Sequence, residues 1–237
     1  MTQTNPTSPV SGDRTKDPLG GTPIAAIELP DDVVGIGASE LAYLLSRHDS
    51  PASRTSGEFL LSDPRIAQEG ALIGGASSLV SRGWLTLDAE GVGRTRSYAA
   101  LIEYVTGKAY RWSRLGFVGA SGGDPEYVAL LESDTVTGLL QPRQLASWFV
   151  RLGEPDVDRA ELVTGMMKER FASDPGAGVI LQVRTADGEQ TLAVRRQGSG
   201  YEALRDVSGP GTGTGGTVDE AGLLDEVRRL YPEVAAA

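Results

Sequence analysis

The chain has 237 residues, 40% of them hydrophobic, and a formal net charge of −10, which is enough apolar material for one sizeable core or two small ones. It has no cysteine, which excludes disulfides, thiolate metal sites and a cysteine nucleophile and makes a reducing compartment, the cytoplasm, the expected location. The acidity and the scattered basic residues argue against nucleic acid, and no apolar run approaches the ~20 residues of a membrane-spanning helix.

Residues 1–22 are rich in Thr, Ser, Pro and Asp, without the basic-then-apolar layout of a signal peptide, and read as a disordered tail. A short strand is expected over 24–29, broken by Pro30 and Asp31-Asp32, and a helix over 38–46 with Leu41, Leu44 and Leu45 on one face. Phe59-Leu60-Leu61 is a short apolar run. Asp63-Pro64 reads as a helix start, with the proline at the first helical position, and the small, apolar segment 66–82 is stopped by Gly83.

From Ser97 the sequence repeats itself. A helix over 97–105 is followed by strand-like runs 110–118, 126–132 and 135–140 and by a helix starting at Pro142. A second helix, 159–171, is followed by runs 178–184, 189–195 and 201–207 and by a helix over 218–231. Val128, Ala129 and Leu130 match Leu192, Ala193 and Val194 at a spacing of 64 residues, as Leu140 matches Leu204. Leu145, Phe149 and Leu152 match Leu223, Val227 and Leu230 at a spacing of 78, both trios having the i, i+4, i+7 spacing of one helix face. The glycine-rich stretch 208–216 accounts for the difference as a flexible insertion. Asp187-Gly188 is a hairpin turn signal between two runs.

The expected class is therefore α+β: two quasi-repeated antiparallel β-meander units with flanking helices, 97–153 and 154–237, preceded by a mostly helical segment, 23–96, packed on the core.

Chemistry-bearing patterns are few. Gly119-Ala120-Ser121-Gly122-Gly123 matches the G-x-S-x-G nucleophile elbow, but that elbow needs a helix directly after the serine and a histidine later in the chain. Here Asp124-Pro125-Glu126 leads into a strand-like run, and the sole histidine, His48, comes earlier. A hairpin loop with permissive glycines explains the motif. His48 alone builds no zinc site, and Asp31-Asp32 and Asp187-Glu189 sit at turns and helix starts, where carboxylates serve structure. Gly35-Ile36-Gly37 lacks the third glycine of a dinucleotide fingerprint, and no Walker lysine follows a glycine run. Segment 66–82 with Gly83-Trp84-Leu85 has the helix-to-wing layout of a winged-helix regulator, the alternative reading, but offers only Arg65 and Arg82 for phosphates. Tyr110, Trp112, Trp148, Phe149 and Tyr231 are either core or interface aromatics. No enzyme, cofactor or metal is expected.

The layout resembles the EspG family of ESX (type VII) secretion-associated proteins. The segments that carry the likeness are Glu40-Leu41-Ala42-Tyr43-Leu44-Leu45, Ser78-Leu79-Val80-Ser81-Arg82-Gly83-Trp84-Leu85, Gly138-Leu139-Leu140-Gln141-Pro142 and Tyr201-Glu202-Ala203-Leu204-Arg205-Asp206. The resemblance implies a cytosolic chaperone that keeps helical secretion substrates of the PE/PPE or WXG-like kind soluble, without nucleotide or metal. Helical hairpins with exposed apolar ends need a covering surface, and a sheet face or long hairpin loop supplies one. The candidate partner-binding residues lie in two loops: Gly119, Ser121, Gly122, Asp124 and Pro125 in the first, Gly211 and Gly213 in the second.

Overall fold

The computed structural model describes residues 33–61, 63–119, 126–143, 146–207 and 212–232. Strand β1 (Val33–Gly37), helices α1 (Ala38–Ser46), α2 (Pro51–Leu60) and α3 (Glu69–Ser81), a small hairpin of β2 (Leu85–Leu87) and β3 (Gly93–Thr95), and helix α4 (Ser97–Lys108) come first. Four strands follow, β4 (Arg111–Val118), β5 (Glu126–Glu132), β6 (Thr137–Arg143) and β7 (Ser147–Gly153). Helix α5 (Arg159–Ser173) leads to β8 (Gly178–Thr185), β9 (Gly188–Gln197), β10 (Gly200–Arg205) and β11 (Thr214–Val218), and α6 (Glu220–Leu230) closes the series. Nine strands form one antiparallel sheet in the order β1-β7-β6-β5-β4-β8-β9-β10-β11. With helices packed against it, the fold is α+β.

The register of the ladders carries the repeat. Ala129 stands opposite Leu140 in the first meander and Ala193 opposite Leu204 in the second, the same pairing displaced by 64 residues. Val128 faces Leu115, and its equivalent Leu192 faces Leu181, so Leu115 and Leu181 are equivalent too. These two are also direct partners across the β4–β8 seam. A pseudo-twofold axis perpendicular to the sheet therefore passes between them.

The helices do not obey that axis. Alternate residues of a strand point to opposite faces, and the two faces are covered over different halves. On one face, α1, α2 and α4 bury Trp112, Ala129, Leu131, Leu140, Trp148 and Val150. On the other, α5 and α6 bury Leu115, Leu130, Val179, Leu181, Leu192 and Val194. In the first core, Trp112 Nε1 donates to Ser56 Oγ at 2.8 Å and Ser56 Oγ donates to the Thr106 carbonyl at 2.7 Å, fixing α2 and α4 against β4. In the second, the rings of Phe171 and Tyr201 lie 5.5 Å apart, joining α5 to β10.

Several expectations are corrected. No helix starts at Pro142: β6 runs through it to Arg143, and β7 contains Phe149 and Leu152. Trp148 and Val150 are buried at a spacing of two, and this period prevails over the helical spacing of Phe149 and Leu152. The proline is tolerated because pairing of β6 with β5 stops at Leu140, so no ladder bond to β5 is asked of it. The stretch 208–216 is not wholly a loop, since β11 begins at Thr214. Gly215 is required there: a Cβ on it would lie 1.9 Å from the Ala203 carbonyl oxygen. Val33–Gly37, which contains Gly35-Ile36-Gly37, is an edge strand paired with β7. The expected strand over 24–29 lies outside the described residues. Asp63 caps a 3₁₀ turn, Pro64–Ala67, and α3 begins only at Glu69.

Candidate functional site

The unequal helical cover leaves one surface open. On the face that carries Trp112 and Leu131, the second half of the sheet has no helix over it among the described residues. Pairing places Gly116, Ile180 and Ala193 in one row and Arg114, Gln182 and Thr191 in the next. None of these six is buried, and Ile180 is 38% exposed. Farther across, Arg195 and Glu202 are joined in an ion pair and Leu204 is half-buried. The signal for this surface was in the run Val179-Ile180-Leu181-Gln182-Val183-Arg184. Val179, Leu181 and Val183 fill the core beneath α5 and α6, while Ile180, Gln182 and Arg184 form a mixed face turned away from it.

Where α2 ends, this open face meets a cleft of about 400 Å³ lined by Phe59, Leu60, Arg114, Tyr127 and Ile180, among others. The Arg114 guanidinium lies 4.5 Å from the Phe59 ring centre and 5.2 Å from that of Tyr127, and it donates to the Phe59 carbonyl. Burial pushes the Tyr127 phenol above its ordinary range against the pull of Arg114. The result is an apolar notch with one cation beside a flat, mixed surface. Such a surface accommodates the side-chain ridge of a helix.

The sequence-predicted loop residues fall elsewhere. Gly119 follows β4, and a Cβ there would lie 3.6 Å from side-chain atoms of Arg170 and Asp174. Gly213, with φ of +129°, precedes β11 against the Arg205 carbonyl. The ladders run β4 and β10 in opposite directions, so Gly119 and Gly213 stand at opposite ends of the strands and do not form one site. Ser121, Gly122, Asp124, Pro125 and Gly211 lie outside the described residues.

His48 serves the frame: its Nε2 lies 2.8 Å from Glu103 Oε1, which also accepts from Arg47 Nε at 2.8 Å. No group of three or more His, Asp or Glu side chains suited to a metal occurs among the described residues. The order α3-β2-β3 does reproduce helix followed by hairpin, but α3 carries one charge, Glu69, and Arg82 turns back to Glu40 and the Gly35 carbonyl. Trp84 packs against that guanidinium, 3.6 Å from its ring centre, and beside Tyr98. A helix so poor in cations is ill suited to a phosphate backbone. Trp112 and Trp148 are core residues; Tyr110, Phe149 and Tyr231 are half-buried.

No protein-family model matches the chain, and no curated protein sequence matches it. Among solved structures, it is similar to the Mycobacterium tuberculosis type VII secretion system chaperone EspG5, determined in complex with the PE25–PPE41 dimer, with a TM-score of 0.51 at 11% identity over 84% of this chain and 95% of that one. The likeness read from the layout of the sequence is thus present in three dimensions, as a likeness of fold.

Proposed function

We propose that this protein is a non-enzymatic, cytoplasmic, chaperone-like component of a type VII secretion apparatus that holds a helical secretion substrate of the PE/PPE or WXG-like kind on its open sheet face. The observation that carries this reading is the uncovered half of the sheet around Ile180 and Ala193, beside a helix-terminated apolar notch. A folded sheet with one face half bare has a surface that a partner can complete. Its mixture of apolar side chains and paired charges is typical of interfaces that form and release rather than of a permanent core. The fold shared with EspG5, a chaperone seen on a protein dimer, supports the same role.

The test is co-expression with helical secreted proteins encoded in the same genome, followed by size-exclusion chromatography. Co-elution that depends on the open face supports the proposal. Failure of every such protein to co-elute, with the chain itself folded, removes it.

A further inference from the structure

The two edges of the nine-stranded sheet are finished differently. At the β1 edge, side chains take the backbone groups: Arg82 Nη2 donates to the Gly35 carbonyl at 2.9 Å, and the Gly37 amide donates to Glu40 Oε2 at 2.8 Å. That edge is closed to another strand. The β11 edge has no such cover among the described residues. Natural sheets blunt an open edge with charge, proline or a bulge. Thr214-Gly215-Gly216-Thr217-Val218 has no charge and no proline, and it pairs with β10 residue for residue, without a bulge.

The register identifies the free groups. The two-residue turn Gly198-Ser199 closes β9 on β10 at Gln197 and Gly200, and the closing pair of such a turn is hydrogen-bonded. Alternation then turns the backbone groups of Tyr201, Ala203 and Arg205 toward β11, where Val218, Gly216 and Thr214 stand opposite them. Gly215 and Thr217 therefore point their amides and carbonyls away from the sheet, with no partner for them among the described residues.

These groups complement themselves. With a twofold axis at Gly216, Gly215 of one chain stands opposite Thr217 of a second copy and exchanges both N–H···O bonds with it, and the symmetric pair does the same. Gly216 then meets its own copy at the position where antiparallel backbones approach most closely. The acidic end, Asp219-Glu220, comes opposite a stretch, 207–213, that carries no charge. The charges flanking the strand are already paired within the chain: Arg195 with Glu202, Arg205 with Glu226, Lys168 with Glu220.

We propose that β11 is a homodimerisation edge, through which two chains pair antiparallel, β11 to β11, into one continuous sheet. An unrelated extended peptide would make the same backbone bonds but finds no side-chain pocket beside two glycines to select it; the second copy is selected by its matching register. The axis is perpendicular to the sheet, like the one between Leu115 and Leu181, so the open faces of both chains lie on the same side and adjoin. The pairing concerns the chain alone and does not depend on a secretion substrate. One short strand per chain gives a small interface, below ~1,200 Å², and a transient dimer.

The chain has no cysteine, and a Cβ on Gly216 meets nothing within 4 Å, so G216C supplies a single, sterically tolerated thiol. Across the axis the two thiols fall within the Cα separation that a disulfide needs, about 4.4–6.8 Å. Under mild oxidation G216C forms a covalent dimer at least about tenfold faster than V92C, whose position on the β2–β3 hairpin is 58% exposed. Sedimentation velocity of the unaltered chain over about a hundredfold range of concentration shows monomer passing to dimer and no further. G216K, which sets two ammonium groups face to face, moves that midpoint several-fold higher. Amide exchange of the unaltered chain slows at Gly215 and Thr217 as concentration rises, and decides alone should the variants fail to fold. A monomer at every concentration, G216C cross-linking no faster than V92C, or a dimer that G216K leaves unchanged overturns the proposal. So do Gly215 and Thr217 amides already protected in the dilute monomer, since another segment of the same chain then covers the strand.

Discussion

The carboxylate of Glu40, buried at the start of α1, lies 3.0 Å from the Arg82 guanidinium at the end of α3. The same carboxylate accepts from the Gly37 amide at 2.8 Å and from Ser78 Oγ at 2.6 Å, so one side chain caps α1 and ties it to α3. Glu40→Ala leaves the amide, hydroxyl and guanidinium without it and is expected to cost about 2–4 kcal/mol. Urea unfolding of the two proteins measures the loss, and Glu40→Gln, which retains part of the cap, falls between them.

Adjacent glycines of α3 predict opposite outcomes. A Cβ on Gly75 would lie 2.1 Å from the Ser39 carbonyl oxygen, whereas one on Gly74 meets nothing within 4 Å. Gly75→Ala must push α1 and α3 apart and is expected to destabilise by about 2–3 kcal/mol or more. Gly74→Ala gains helix propensity and is expected to stabilise by up to ~1 kcal/mol. Thermal melts of the two variants side by side separate crowding from propensity.

Glu226 on α6 is held by Arg205, whose hydrogen bond, aided by Arg229, draws the carboxyl below its ordinary range. A depressed carboxyl pKa stabilises the folded chain above the ordinary carboxylate range, and that contribution is lost as pH falls through the folded value. Unfolding free energies of the wild type and Glu226→Gln are therefore expected to differ most near neutral pH and to converge in acid. A constant difference at all pH values would contradict the pairing.

Ile180 stands half out of the open face, and a charge there costs the isolated chain little, within about 0.5–1 kcal/mol. Under a bound helix the same charge is buried without a partner, so Ile180→Glu is expected to weaken partner binding by at least about tenfold. Leu87→Glu on the β2–β3 hairpin, 59% exposed in the wild type, serves as the comparison and leaves binding unchanged. Titration calorimetry with a co-eluting partner distinguishes the two.

The strands of the two meanders could be read from the sequence because their residues alternate and their partners recur: Ala129 with Leu140, Ala193 with Leu204. β7 was hidden because Phe149 and Leu152 also satisfy a helical spacing. β11 was hidden because Thr214–Val218 buries almost nothing beyond part of Val218, so no alternation of apolar residues marks it. α2 carried its own signal, Ser50 capping the Ser53 amide with Pro51 at the first position. The open face was half legible, since alternation separates Ile180 from Leu181 but does not say which set the helices will cover.

Strand β5 gives Ala129 and Leu131 to one core and Leu130 to the other, and β4 divides Trp112 and Leu115 in the same way. The two cores are therefore coupled through a single backbone layer, and losing either strips one side from the strands that support both. Unfolding is then a single cooperative event, and neither meander, cut out of the chain, keeps a complete interior. All three tryptophans, Trp84, Trp112 and Trp148, stand in or against the first core, yet their fluorescence reports the melting of the whole molecule, including the half that contains no tryptophan.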